Sequence, residues 1–137
     1  MIEVSRSLGR VVLVKATTPI SELEVLRYQQ DLSKAVRTVG AQAIVVVDLR
    51  DVAVLPKPVA RMFTLMLQSK PLVKRRAFLY SEGETFGAEI AKLVYEEDHP
   101  QHKAFASFET MQAYLRPACS PPELTAVGYA QEERKAA

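Results

Sequence analysis

Apolar and polar positions along the chain switch repeatedly between a period of two and a period near 3.6. Ile2 and Val4 alternate with polar neighbours, Leu8-Gly9-Arg10 makes a turn, and Val11-Val12-Leu13-Val14 follows as a run too continuous for a strand with one wet face. Thr17-Thr18-Pro19 ends that strand. A helix-start signal comes next: Ser21 can cap, Glu24 completes a capping box, and Ile20 can staple onto Val25. Val25, Tyr28, Leu32, Val36 and Val39 then recur at helical spacing, and Gly40 closes the helix. Ile44-Val45-Val46-Val47-Asp48-Leu49 reads as a strand buried on both faces.

Beyond it, Pro56 and Pro58 bracket a short loop, with Pro58 placed for the first turn of the next helix. Val59, Met62, Phe63, Met66 and Leu67 make one apolar stripe there, and Pro71 stops it. Ala77-Phe78-Leu79-Tyr80 is a further buried strand. Ser81 and Glu84 repeat the capping-box spacing ahead of a stripe of Phe86, Ile90, Leu93 and Val94. Lys103-Ala104-Phe105-Ala106 predicts the last strand, and Ser107 caps a helix burying Phe108, Met111 and Leu115. From Arg116 the character changes: Pro117, Pro121 and Pro122 cluster and the end is polar. That composition predicts a tail over 116–137, either disordered or laid against another surface. The expected fold is α/β, with four helices and a mixed, mainly parallel five-stranded sheet over 1–115, opened by an antiparallel hairpin.

Composition narrows the class without naming a function. A chain of 137 residues, 48% apolar and 25% charged, is long enough for one real core and too short for two ordinary domains. The single cysteine, Cys119, excludes an internal disulfide and favours a reducing, cytoplasmic setting. No apolar run is long enough to span a bilayer, so stable membrane insertion is not expected. A net charge of +2 does not argue for nucleic acid.

The element order, with a buried strand ending in Asp48-Leu49 and passing through Val52-Ala53-Val54 into a helix, resembles the STAS domain. That is the fold of bacterial anti-anti-sigma factors and of the cytoplasmic tails of sulfate transporters. The nearer likeness is to its SpoIIAA-like branch, grouped with lipid-binding proteins. It is carried by Arg76-Ala77-Phe78-Leu79-Tyr80 and by Lys103-Ala104-Phe105-Ala106-Ser107-Phe108-Glu109 through Tyr114-Leu115. The resemblance covers residues 1 to about 115 and implies a non-enzymatic regulatory module acting through protein contacts. One departure changes that expectation. The serine phosphorylated in anti-anti-sigma factors falls near Pro56-Lys57 here, and neither residue can accept phosphate. Lys57 places a positive charge where phosphorylation would add about −1.5 to −2.

Candidate chemistry is sparse. No glycine-rich phosphate loop and no Gly-x-Ser-x-Gly elbow is present. His99 and His102 beside Glu96, Glu97 and Asp98 are the densest set of metal-ligand types. Their spacing across Pro100 reads better as a solvated helix end and loop. Cys119 sits in the tail, where nothing predicts a histidine to activate it. No catalytic residue, cofactor or metal site is therefore expected. Charge is segregated: Val52 to Ser81 holds no acid but carries Lys57, Arg61, Lys70, Lys74, Arg75 and Arg76, whereas Glu82 to Asp98 holds six acids and one base, Lys92. This reads either as two solvated helix faces or as a polar association surface, with anionic lipid near Lys70, Lys74, Arg75 and Arg76 as a third reading. Leu65 lies off the centre of the buried stripe of its helix and is expected to widen it. The sites expected for a protein partner, a second copy included, are Leu55, Lys57, Arg61 and Leu65. The alternative expectation is carriage of a small apolar, lipid-like ligand. It would need a pocket between the Val59 to Leu67 helix and the sheet.

Overall fold

The structure, a computed structural model, describes residues 1–69 and 73–136, with side chains through residue 128. Its elements are β1 (Ile2–Arg6), β2 (Val11–Thr17), α1 (Glu22–Val39), β3 (Ile44–Asp51), α2 (Lys57–Gln68), β4 (Arg75–Leu79), α3 (Thr85–Glu97), β5 (His102–Phe105), α4 (Phe108–Leu115) and α5 (Pro121–Ala136). The sheet runs in sequence order, β1-β2-β3-β4-β5, with β1 antiparallel to β2 and every other pair parallel. The fold is thus α/β with a mostly parallel, five-stranded mixed sheet, and it has five helices where the sequence pattern predicts four. Gly9 makes the opening hairpin at φ +66°, a conformation that side chains with a Cβ rarely adopt.

Sequential parallel strands joined by right-handed crossovers place every crossover helix on the same face. Accordingly, α1, α2 and α3 cover one face, where Val25, Tyr28, Phe63, Phe86 and Ile90 pack on Val12, Val14, Val45, Val47 and Phe78. The opposite face, with Val11, Ile44, Val46, Ala77 and Leu79, is covered by Met111 and Leu115 of α4 and Val127 of α5. This double cover is why β2 and β3 read as continuous apolar runs.

Local signals decide the boundaries. Ser21 and Glu24 form both bonds of a capping box, and the Gly40 N–H bonds back to Val36. Ser107 caps α4 through the Thr110 N–H. The matching spacing at Ser81 and Glu84 makes no such box. The Ser81 carbonyl accepts from the Glu84 N–H in a turn, and α3 begins one residue later at Thr85 without a side-chain cap. The last strand begins at His102 rather than Lys103, and His102 is buried, only 3% exposed, rather than part of a solvated loop. The Pro71 stop lies outside the described residues.

The segment after Arg116 is the largest departure from the sequence pattern. Pro121 and Pro122 open α5 instead of breaking the chain, because the first turn of a helix needs no N–H at those positions. Ser120 and Glu123 form the capping box in front of them: the Ser120 N–H donates to Glu123 Oε1 at 2.8 Å, and the Glu123 N–H donates to Ser120 Oγ. Leu124 and Val127 then pack against the second core cluster, so the first turns of α5 lie on the sheet.

Candidate interaction site

Helix α2 sits in the centre of the three-helix layer, and its two faces differ sharply. Val59, Phe63 and Leu67 are buried, whereas Lys57, Arg61 and Leu65 are exposed. The last three lie at i, i+4 and i+8 and therefore form one stripe along the solvent side. Leu65 is 67% exposed, too open to widen the buried stripe. The loop entering α2 adds Val54, 92% exposed, while Leu55 is half-buried and packs on the core edge. Of the four residues expected from the sequence, Lys57, Arg61 and Leu65 thus share one surface, and Leu55 anchors the loop beside it. Val54 went unnoticed; its alternation with buried Val52 is the signal that could have found it.

The electrostatics of this end are one-sided. Pro56 occupies the N-cap without a side-chain hydrogen bond, and no acidic residue stands in the first turn. The positive end of the helix dipole is left uncompensated beside Lys57 and Arg61, an arrangement that favours an anionic partner group. Next to it a cleft of about 370 Å³ opens between the β3–α2 and β4–α3 loops, lined by Val54, Leu55 and Phe86 on its apolar side and by Glu84 and Glu89 on its acidic side.

The rest of the basic segment does not join this surface. Arg76 is 2% exposed; its guanidinium donates to the Ser69 carbonyl at 2.7 Å, at the C-terminal end of α2, and lies over the Phe78 ring. There it meets the negative end of a helix dipole. Arg75 turns to the other face and stacks on Tyr114. With Arg76 inside and Lys70 outside the described residues, the four-cation cluster invoked for anionic lipid is not assembled on the described surface.

Beneath α2 the space is filled. Phe63 stacks on Phe86 with ring centroids 5.2 Å apart and meets Tyr28 edge-on at 5.7 Å. Burial among these rings pushes the Tyr28 phenol up to about 12. The space at the end of α2 lined by Leu67, Arg76, Ile90 and Val94 holds only about 10 Å³. Elsewhere, His99 and His102 stack edge-on, but no group of three or more metal-ligand side chains converges among the described residues. Cys119 is half-buried, and burial followed by the neighbouring Glu123 carboxylate raises its thiol pKa, the opposite of what a nucleophile needs. No helix among the described residues is long and apolar enough to cross a membrane. No protein-family model matches the chain, and no curated protein matches it.

Proposed function

We propose that this chain is a non-enzymatic, STAS-like protein-interaction module without the phosphorylatable serine, acting from the cytoplasm through the β3–α2 loop and the outer stripe of α2. The observation that carries this reading is the exposure of Val54 in the entering loop and of Lys57, Arg61 and Leu65 along a helix whose other face is locked into the core. Two apolar groups and two cations at an uncapped helix start suit a protein surface that offers carboxylates around an apolar depression. The STAS resemblance adds weight, because the regulated serine of that family would fall at the same junction. Lys57 there makes the surface constitutively cationic instead of switchable. Carriage of an apolar ligand beneath α2 draws no support from the filled ring cluster. Neither nucleic acid nor a cofactor is called for by this surface.

The test begins with a photo-crosslinking residue at position 65, to capture and identify the partner, whether another protein or a second copy. Binding of that purified partner is then measured with the chain carrying Lys57→Glu, Arg61→Glu and Leu65→Ser together. Affinity should fall at least tenfold while the melting temperature stays within a few degrees, since all three side chains are exposed. Unchanged affinity in the triple variant would defeat the assignment.

A further inference from the structure

The second face of the sheet holds a cleft of about 200 Å³ where α4 and α5 meet strands β1 to β4. Its floor is apolar, from Leu13, Val46 and Leu79, with Phe108, Met111 and Val127 as walls. Across the floor runs a row of charge fixed by strand register: Glu3 is opposite Lys15, and Lys15 is opposite Asp48. Arg50 follows two residues on from Asp48, on the same face, where the β2–β3 register slips between Lys15 and Thr17. Such irregularities re-aim side chains and recur beside binding sites.

These four charges are not equivalent. Asp48 and Arg50 close on each other: Nε donates to Oδ1 at 3.0 Å, Nη2 donates to Oδ2 at 2.9 Å, and the Arg50 N–H also donates to Oδ1. Both stay mostly out of water, Asp48 at 17% and Arg50 at 12% side-chain exposure. This fixed fork leaves Nη1 of Arg50 without a hydrogen bond. Lys15, half-buried, and Glu3 have no ion-pair partner among the described residues, although register places them side by side. The cleft therefore offers an ammonium and a guanidinium edge for one anionic group, a carboxylate for one cationic group, and an apolar wall next to both.

We propose that this cleft binds a small zwitterion with an apolar side chain, of the chemical class of the free aliphatic or aromatic α-amino acids. The ligand carboxylate bridges Lys15 and Arg50, its ammonium meets Glu3, and its side chain lies against Leu13, Val46 and Met111. A purely anionic amphiphile would leave the Glu3 carboxylate unpaired against it, and a purely apolar one would strip water from the charged row. The volume is below the roughly 300–1,000 Å³ of sites for drug-sized molecules, which selects a ligand of single-residue size. The site lies on the face opposite α2 and is independent of the interaction surface proposed above.

Titration calorimetry of the full chain tests this with L-leucine, L-methionine and L-phenylalanine, alongside N-acetyl-leucine and leucine amide. At least one free amino acid should bind with one-to-one stoichiometry, and capping either its amine or its carboxylate should weaken binding at least tenfold. Lys15→Met and Glu3→Gln should each cost a similar factor. Neither should move the melting temperature appreciably, because neither residue is tied into an ion pair. If no free amino acid binds, or if N-acetyl-leucine binds as well as leucine, the proposal is overturned. It is also overturned if Lys15→Met leaves the affinity unchanged.

Discussion

Phe63→Ala is expected to lower the free energy of unfolding by about 3–5 kcal/mol, the range for removing a buried aromatic side chain from a packed core. Phe63 is fully buried, and its ring is the shared contact of the three-helix layer: it comes from α2, stacks on Phe86 of α3 and meets Tyr28 of α1 edge-on. Such a loss is a large fraction of a typical domain stability of about 5–15 kcal/mol. Urea unfolding followed by circular dichroism would measure it. Phe63→Leu, which keeps most of the volume, should cost about 1–1.5 kcal/mol. Leu65→Ala, two positions along the same helix but 67% exposed, should change stability by no more than about 0.5 kcal/mol. A loss below about 1 kcal/mol for Phe63→Ala would show that the layer collapses around the missing ring. The packed-keystone account of α2 would then fail. The contrast between positions 63 and 65 separates what holds the helix in place from what it presents.

The layer around Phe63 was legible in the sequence because its determinants are periodic and local. The stripe from Val59 to Leu67, the box at Ser21 and Glu24, and the β-branched runs of β2 and β3 each fit within one element. Identical local signals diverged where neighbours intervened. Ser81 and Glu84 have the spacing of Ser21 and Glu24, yet Gly83 and the exit from β4 turn them into a tight turn before the helix. Ser120 and Glu123 have it too, and there the box forms. The clustered prolines and the polar end mask it, since only Leu124 and Val127 of the described side chains of α5 pack on the second core cluster. Arg75 and Arg76 are equivalent in composition, but strand alternation sends one to Tyr114 and the other beneath α2. Period two alone predicts that separation, which a count of charges does not. The cleft on the second face lay beyond any local reading. Glu3, Lys15 and Asp48 come from three different strands, and sheet register sets them in a row.

Glu123→Gln is expected to destabilise the domain by about 2–3 kcal/mol at neutral pH, with a characteristic loss of that difference in acid. The Glu123 carboxylate, 4% exposed, takes four donors: Oε1 accepts from the Ser120 N–H and from Arg10 Nη2 at 2.7 Å, and Oε2 accepts from the Arg10 N–H at 2.7 Å and from Nε at 3.1 Å. Arg10 also donates to the Ala118 carbonyl, so one contact ties the β1–β2 hairpin to the start of α5. The Arg10 hydrogen bonds, reinforced by Ser120, hold the carboxyl at about 2 against an ordinary 4.5. A depression of that size corresponds to about 3 kcal/mol of preference for the charged, folded form. Arg10 keeps 34% of its side chain in water, which reduces the expected cost of breaking the pair. Glutamine cannot accept on both sides of the fork, and its amide would meet the Arg10 donors. Because the folded pKa is depressed, the stabilisation is complete above about pH 4.5 and declines as pH falls towards about 2. The wild-type and Glu123→Gln unfolding free energies should therefore converge over that window, while other carboxylates cancel between the two proteins. Hydrogen exchange should quicken first in residues 121–128, since α5 otherwise shields Val11, Ile44 and Val46. A difference under 0.5 kcal/mol at neutral pH, or one that persists unchanged to pH 2, would mean that α5 is held by apolar packing rather than by this ion pair.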